Sequence, residues 1–403
     1  MASQSSPRRA WATLLTRPSY LAGVIVLAYA LKKQASQYPL IVLVTDSLPT
    51  TCLTALELEA PHTNLAIKHV DSLLPAGDVN LIAERFADTW TKLRVFELTS
   101  YKTLVFLDAD IMVMRNMDDI FETGLPAQDW LAANHACVCN LDHDPWAPED
   151  WTPENCPYTP LRHPDALSTP TPVTEQARPT YHLLNSGVFM FHPSEELWDR
   201  MHNFFNTTPS LKTYKFPDQD FLADFFKNRW MSMGWQYNAI KTMRNWHENI
   251  WRDDEVKALH YIVDKPWASR IGAGGKAGYR GLDGVTHTWW WKAYDEWEHE
   301  RENNGESHIL SVVRKYVAGK DDQENEELQA IGTHAQAFAS NDLSHQAPQP
   351  SPGVTDKSET DGKGSEEDEA ASPGGHVFRA KRRGERGHGP VVRLRHGDNN
   401  SSG

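Results

Sequence analysis

Residues 39–45, PLIVLVT, form an unbroken apolar run rich in β-branched side chains. A strand with one wet face alternates apolar and polar residues, so an unbroken run predicts a strand buried on both faces, as in a parallel sheet covered by helices. Upstream, residues 10–16 (AWATLLT) predict a first buried strand that breaks at Arg17-Pro18. Residues 20–33 carry apolar side chains at helical spacing and end in Lys32-Lys33, which suits a helix C-terminus. Strand, helix and strand in that order make a βαβ unit. Residues 64–70 predict another strand, and residues 89–99 a helix leading into a strand that starts at Lys102. The expected fold class is therefore α/β: a single Rossmann-like domain whose open sheet binds ligands outside the carboxyl ends of its strands.

The stretch 101–115, YKTLVFLDADIMVMR, places two carboxylates where such a strand runs out. If the strand continues through Asp108, Ala109 and Asp110, alternation turns both carboxylates to one side and Ala109 away. Two hard oxygen donors at a strand end suit Mn²⁺ or Mg²⁺, and the metal can bridge the phosphates of a nucleotide. In isolation the D-x-D pattern reads more simply as a solvated turn between two strands, so its neighbours must decide.

Residues 130–133 predict one more strand, and residues 134–179, rich in Pro, Asp and Thr, predict a long irregular loop. It holds Cys137, Cys139, Cys156, His135 and His143, but the C-x-C spacing with a lone distant Cys matches no strong zinc pattern, so free thiols are expected. Residues 181–191 read as a strand interrupted at Asn185-Ser186-Gly187, where Gly187 marks either close approach of a ligand or a β-bulge. Residues 195–205 predict an amphipathic helix. Residues 216–226 put Asp218, Gln219 and Asp220 at a helix start, and capping accounts for only one of these polar residues. A short strand at 256–262 bears His260, by itself most simply a packed histidine, and Asp264-Lys265-Pro266-Trp267 follows it. The Gly-rich residues 271–284 predict a mobile loop, and residues 286–299 a closing helix. A last helix is expected at 308–317; beyond residue 319 the composition predicts disorder, with an acidic run at 366–369 and a basic cluster at 379–386.

A net charge of −14 excludes nucleic acid as a general partner. The apolar run at 20–31 is too short to span a bilayer and predicts a buried helix, not a transmembrane segment. Four cysteines without the spacing of a secreted scaffold fit a reducing, cytoplasmic setting, where the sequon at Asn206 goes unused. Fifteen tryptophans, most of them between Trp130 and Trp297, are expected chiefly as core filler.

Taken in order, TLLTRPSYLAG, TKLRVFELTSYKTLVFLDAD, LNSGVFMFHPS, DQDFL and HYIVDKPW resemble glycosyltransferase family 8, the group of glycogenins and galactinol synthases. The similarity covers roughly residues 10–300, and the Cys-containing loop, the D-Q-D-F-L helix start and the W-W-x-x-Y-x-E ending at 290–296 are more similar to galactinol synthases. The resemblance implies one nucleotide-diphospho-sugar transferase domain of GT-A type with a mixed central sheet over residues 10–302, between a flexible 1–9 and a mostly disordered 303–403. It implies that Leu14, Thr16 and Tyr20 contact the uridine of a UDP-sugar, with Lys92, Ala109, Gly187 and Lys265 completing the donor site. Asp108, Asp110 and His260 would hold Mn²⁺, or Mg²⁺ in its place; Lys265 would neutralise the diphosphate. Asp218, Gln219, Asn185 and Lys92 would act at the transferred sugar.

The implied activity is retaining, metal-dependent hexosyl transfer from UDP-galactose or UDP-glucose to a hydroxyl of a small-molecule or glycan acceptor. A self-glucosylating primer like glycogenin and a non-catalytic sugar-nucleotide-binding scaffold remain as other readings, and a homodimer is left open. Two departures from glycogenins bear on donor and acceptor detail: the spacing from His260 to the K-P-W element is one residue shorter, and Asp220 stands where glycogenins carry Gly.

Overall fold

The computed structural model describes residues 8–319 apart from 76–88, Trp146 and Tyr279. The expected βαβ unit is present as β1 (Arg9–Leu15), α1 (Leu21–Lys33) and β2 (Leu40–Val44), with β1 and β2 paired in parallel. Every α1 residue from Leu21 to Leu31 is buried, as an all-round apolar helix requires. A helix α2 (Thr50–Thr63), absent from the sequence expectations, makes the crossover to β3 (Leu65–His69), and Asn64 ends it in the left-handed region at φ 56°. The helix expected at 89–99 is a 3₁₀ helix, Thr89–Glu97, and it leads into β4 (Thr103–Leu107) and then β5 (Ile111–Val113). Arg9 already belongs to β1, so the flexible N-terminus expected over residues 1–9 gives way to strand there.

Five more elements complete the large sheet and one of its faces: β6 (Leu131–His135), β7 (Leu184–Phe191), α3 (Glu195–Thr207), α4 (Pro217–Phe225) and β8 (Trp230–Ser232). The strand order is β3-β2-β1-β4-β7-β6-β8, with β7 antiparallel to both β4 and β6, so the sheet is mixed. Alternation along β1 sends Trp11 to one face and Ala10 and Ala12 to the other. On the Trp11 side α1 and α2 pack on the sheet; on the opposite side lie Trp90 and Phe96 of the 3₁₀ helix, Leu197 of α3 and Phe221 of α4. A small second sheet joins β5 to β9 (Ala239–Ile240), with α5 (Met243–Trp246) after it, and to β10 (Ala258–His260), in the order β5-β10-β9.

The remaining α-helices among the described residues are α6 (Gly284–Asn303) and α7 (Ser307–Val313). The last helix expected at 308–317 is therefore present, and Ile309, Leu310, Val312 and Val313 are buried in the core beside α2, so the folded unit runs past the expected boundary at residue 302. Most of the tail, with its acidic and basic runs, lies outside the described residues. Trp230, Trp235, Trp267, Trp290 and Trp297 are all nearly inaccessible, in keeping with their reading as core.

Two strand expectations change. β7 begins at Leu184 after a short 3₁₀ turn, Pro179–His182, and its pairing with β6 jumps from Asn185 opposite Asn134 to Phe189 opposite Ala133, so the bulge read from the sequence falls on β7 at Ser186-Gly187-Val188. Asn134 and His135 belong to β6, and the rest of the expected loop to residue 179 contains, among its described residues, only short 3₁₀ turns at Pro153–Asn155 and Asp165–Leu167. Among the described residues no helix is long and apolar enough to cross a membrane.

Candidate active site

β4 ends at Leu107, and Asp108-Ala109-Asp110 forms a turn into β5. The two carboxylates therefore converge through a turn, not through the strand alternation expected from the sequence. Backbone bonds fix that turn: Asp108 N–H donates to Gly187 O at 2.8 Å, Ile111 N–H to Asp108 O at 3.0 Å, and Tyr261 N–H to Asp110 O at 3.0 Å. α1 leans directly on it, because a Cβ built on Gly23 would lie 2.3 Å from the carbonyl oxygen of Ala109. Gly23 is a close-approach position that the apolar helix pattern hid.

His260 reaches the carboxylates from β10, which pairs antiparallel with β5 and sets His260 opposite Ile111. Its Nδ1 lies 3.0 Å from Oδ1 of Asn238. An amide oxygen only accepts, so Nδ1 carries the proton and Nε2 presents its lone pair to the carboxylates. Nε2 is 3.4 Å from Asp110 Oδ1 and 4.0 Å from Asp108 Oδ2. Asp110 Oδ1 is buried without a hydrogen-bond partner, an expensive state that a cation would relieve. Two carboxylate oxygens and one imidazole nitrogen, with ligand atoms within 4.8 Å of one another, fit a divalent cation such as Mn²⁺ or Mg²⁺.

Two buried lysines flank the carboxylates. Lys265 pairs with Asp110 and donates to Tyr261 O at 2.7 Å. Burial works against the Asp110 carboxylate, but the Lys265 charge outweighs it and holds its pKa far below the usual range. Lys92 lies 2.8 Å from Asp108 Oδ1 and pairs with Asp218 as well. Burial would lower the Lys92 pKa; the charges of Asp108 and Asp218 reverse that and raise it. Asp218 also accepts from Ser186 Oγ at 2.7 Å, and Asn185 Nδ2 donates to Gln219 Oε1 at 3.3 Å. Asp220 is the capping residue of the trio, accepting from Lys215 N at 2.8 Å and Phe216 N at 3.0 Å. That leaves Asp218 and Gln219 facing a cleft of about 340 Å³.

A sequence model described as glycosyl transferase family 8 matches residues 13–270. The chain belongs to glycosyltransferase family 8. It is similar to galactinol synthase 4 of Arabidopsis thaliana, at 27% identity over 66% of this chain and 75% of the relative. Galactinol synthase 1 of Solanum lycopersicum is 28% identical over 62% of this chain and 70% of its own. Among solved structures, the glycosyltransferase GlyE of Streptococcus pneumoniae aligns at a TM-score of 0.45 and 17% identity, over 73% of this chain and 64% of that one. The galactosyltransferase LgtC, in complex with donor and acceptor sugar analogues, aligns at 0.46 and 15%, over 70% and 94%. Family membership and the observed mixed sheet agree with the GT-A type architecture expected from the sequence.

In this family-8 chain one cleft gathers the expected residues from distant parts of the sequence. Leu14, Thr16 and Tyr20 line it at the carboxyl end of β1; Lys92, Asp108, Ala109 and Asp110, Asn185, Asp218 and Gln219, His260 and Lys265 line the rest. Trp267 secures the Tyr20 side, donating from Nε1 to Ser19 O at 2.8 Å and packing edge-on against the Tyr20 ring. Gly187 is the exception. It backs the His260 ring, where an added Cβ would lie 2.3 Å from Cε1, so it makes a close approach to a side chain. Asn238, Ser186 and the aromatic walls Trp151 and Trp246 were missed. No local pattern marks them, since each acts only through a partner distant in sequence.

Proposed function

We propose that this family-8 chain transfers a hexosyl group from UDP-galactose or UDP-glucose to a hydroxyl acceptor, with retention of anomeric configuration, as a galactinol synthase-like enzyme. The observation that carries the reading is the convergence in one cleft of Asp108, Asp110 and His260 with Lys265 on one side and Asp218 and Gln219 on the other. A divalent cation held by Asp108, Asp110 and His260 would act as a Lewis acid toward the donor diphosphate. The resemblance in sequence to galactinol synthases supports a hexosyl donor and a polyol acceptor.

The chain's own groups divide the work. Tyr20 offers a ring face for the uracil at the mouth of the cleft, with Leu14 and Thr16 beside it. Departure of UDP builds negative charge on the β-phosphate, and the Lys265 ammonium, buried and fixed by Asp110 and Tyr261 O, is oriented before that charge develops. Lys92 joins Asp108 to Asp218 and so sets the donor-binding carboxylates in register with the sugar-facing one. Asp218 and Gln219 accept from sugar hydroxyls, and the Asp218 charge favours the oxocarbenium-like carbon as the bond to UDP breaks. Among the described residues no other side chain in the cleft stands out as a nucleophile, which favours a short-lived ion pair shielded on one face. The four cysteines, none bonded to another, support a reducing compartment such as the cytoplasm.

The test is UDP release from a panel of UDP-sugars, with and without Mn²⁺ and with and without myo-inositol. Mn²⁺-dependent release from one donor, stimulated by the polyol, is the expected result. UDP binding with no release from any donor would overturn the transferase reading, and a mass increase of the protein itself with UDP-glucose would reassign the acceptor to the chain.

A further inference from the structure

Three thiols that the C-x-C spacing left unassigned converge on one imidazole. The Nε2 atom of His247 lies 3.3 Å from Cys137 Sγ, 3.3 Å from Cys139 Sγ and 3.5 Å from Cys156 Sγ, and Cys137 Sγ is 3.9 Å from Cys156 Sγ. We propose that Cys137, Cys139, Cys156 and His247 bind one structural Zn²⁺ in a closed Cys₃His site, separate from the cation site of Asp108, Asp110 and His260.

The distances match the ligand shell of that ion. Zn–S bonds of about 2.3 Å and a Zn–N bond of about 2.0 Å at tetrahedral angles put sulfurs about 3.8 Å apart and sulfur about 3.5 Å from nitrogen. The four ligand atoms lie within 4.8 Å of one another, and none of the sulfurs is bonded to another. Cys139, Cys156 and His247 are buried, and Cys137 is half-buried. Soft thiolates with one imidazole select zinc over the harder cations suited to the Asp108 site. Four protein ligands leave no open position, so the role is structural, not catalytic.

The location gives the ion something to do. Residues 136–183 carry little regular structure among the described residues, and loops of that length rarely hold one conformation by packing alone. Zinc would tie the chain just after β6, through Cys137 and Cys139, to Cys156 in the middle of this segment and to His247 at the end of α5. Each tied piece also supplies a wall of the cleft: Ala136 and Cys137, Trp151, and Asn245 with Trp246. The ion would therefore set the shape of that part of the cleft without sharing a ligand with Asp108, Asp110 and His260.

The experiment uses the full chain, purified without chelator or added metal, and reads metal content by mass spectrometry together with thiol titration. One zinc per chain is expected, retained through dialysis against EDTA that strips added Mn²⁺, and released when a mercurial blocks the thiols. Cobalt exchanged into the site should show the intense visible bands of a tetrahedral thiolate complex. His247→Ala and Cys139→Ser should lose the zinc, while Cys52→Ala, outside the cluster, should keep it. If the ligand variants fail to fold, zinc content and the cobalt spectrum of the unaltered chain still decide. A metal-free folded chain whose thiols all titrate, or a disulfide between any two of the three cysteines in the intact mass, would overturn the proposal. Because zinc is read without turnover, this outcome is independent of the transferase assay.

Discussion

His260 Nδ1 sits 3.0 Å from Asn238 Oδ1, and this single contact determines which ring nitrogen faces Asp108 and Asp110. The same amide donates from Nδ2 to Asn185 Oδ1 at 2.8 Å, and Asn185 in turn donates to Gln219. A polar chain thus links the proposed metal ligand to the sugar-facing side of the cleft.

Asn238→Ala removes the acceptor that locks the His260 tautomer. Loss of such an outer partner costs roughly 10–100-fold in metal affinity. The Mn²⁺ concentration giving half-maximal activity should rise by that factor, with excess Mn²⁺ restoring most of the turnover. An unchanged Mn²⁺ dependence would show that Asn238 does not act through His260.

Gly187→Ala places a Cβ 2.3 Å from Cε1 and 2.6 Å from Nδ1 of His260. The ring is 5% exposed and cannot swing away without breaking its bond to Asn238. Overpacking of this kind costs about 1–3 kcal/mol, so the urea midpoint should fall and turnover with it. Gly23→Ala should behave similarly, because there the obstacle is the Ala109 carbonyl, which the turn holds in place.

Lys265→Ala should lower kcat by about 10²–10³-fold, the usual loss when one preorganised charge stabiliser is removed. The effect on donor KM should be smaller, since the charge is needed most as UDP departs. Steady-state kinetics at saturating Mn²⁺ separates the two, and an effect confined to KM would reduce Lys265 to a binding role.

Lys241 lies 2.6 Å from Asp264 Oδ1 and 2.8 Å from Asp283 Oδ2, and it is almost wholly buried. Burial would push the Asp264 carboxyl up, but His287 and Lys241 hold it well below its ordinary value. A carboxylate depressed in the folded state adds stability above its unfolded pKa of about 3.9, and that stability is lost as pH falls below it. Lys241→Met should cost about 3–5 kcal/mol near neutrality, the usual result of breaking a buried pair. Its stability should also fall less than that of the unaltered chain between about pH 5 and about pH 3. Urea unfolding of both chains across that range checks the sign, and parallel curves would refute the account.

The centre of the parallel half was legible because β2 and β4 are buried on both faces and read as unbroken apolar runs, LIVLV and TLVFL. The helix over Glu195–Thr207 was legible for the complementary reason, a clear amphipathic period with Ser194 capping it. α2 was missed because its apolar face is short and Pro61 lies within it. The convergence of Asp108 and Asp110 was anticipated, but alternation supplied the wrong mechanism: a turn held by Gly187 O aims them.

The sequence by itself determined the alternation of strands and helices, the D-x-D pattern, the Asp218-Gln219 pair and the His260 to Trp267 element, and through them the family. These features are local, set by side-chain periodicity, turn chemistry and residues a few positions apart. Only the tertiary structure decided that Gly187 seats His260, that Asn238 chooses its tautomer, and that His247 meets Cys137 across 110 residues of chain. Such pairings depend on how sheets and turns pack, and a pattern with a period of two or 3.6 residues carries no record of which turn will face which strand.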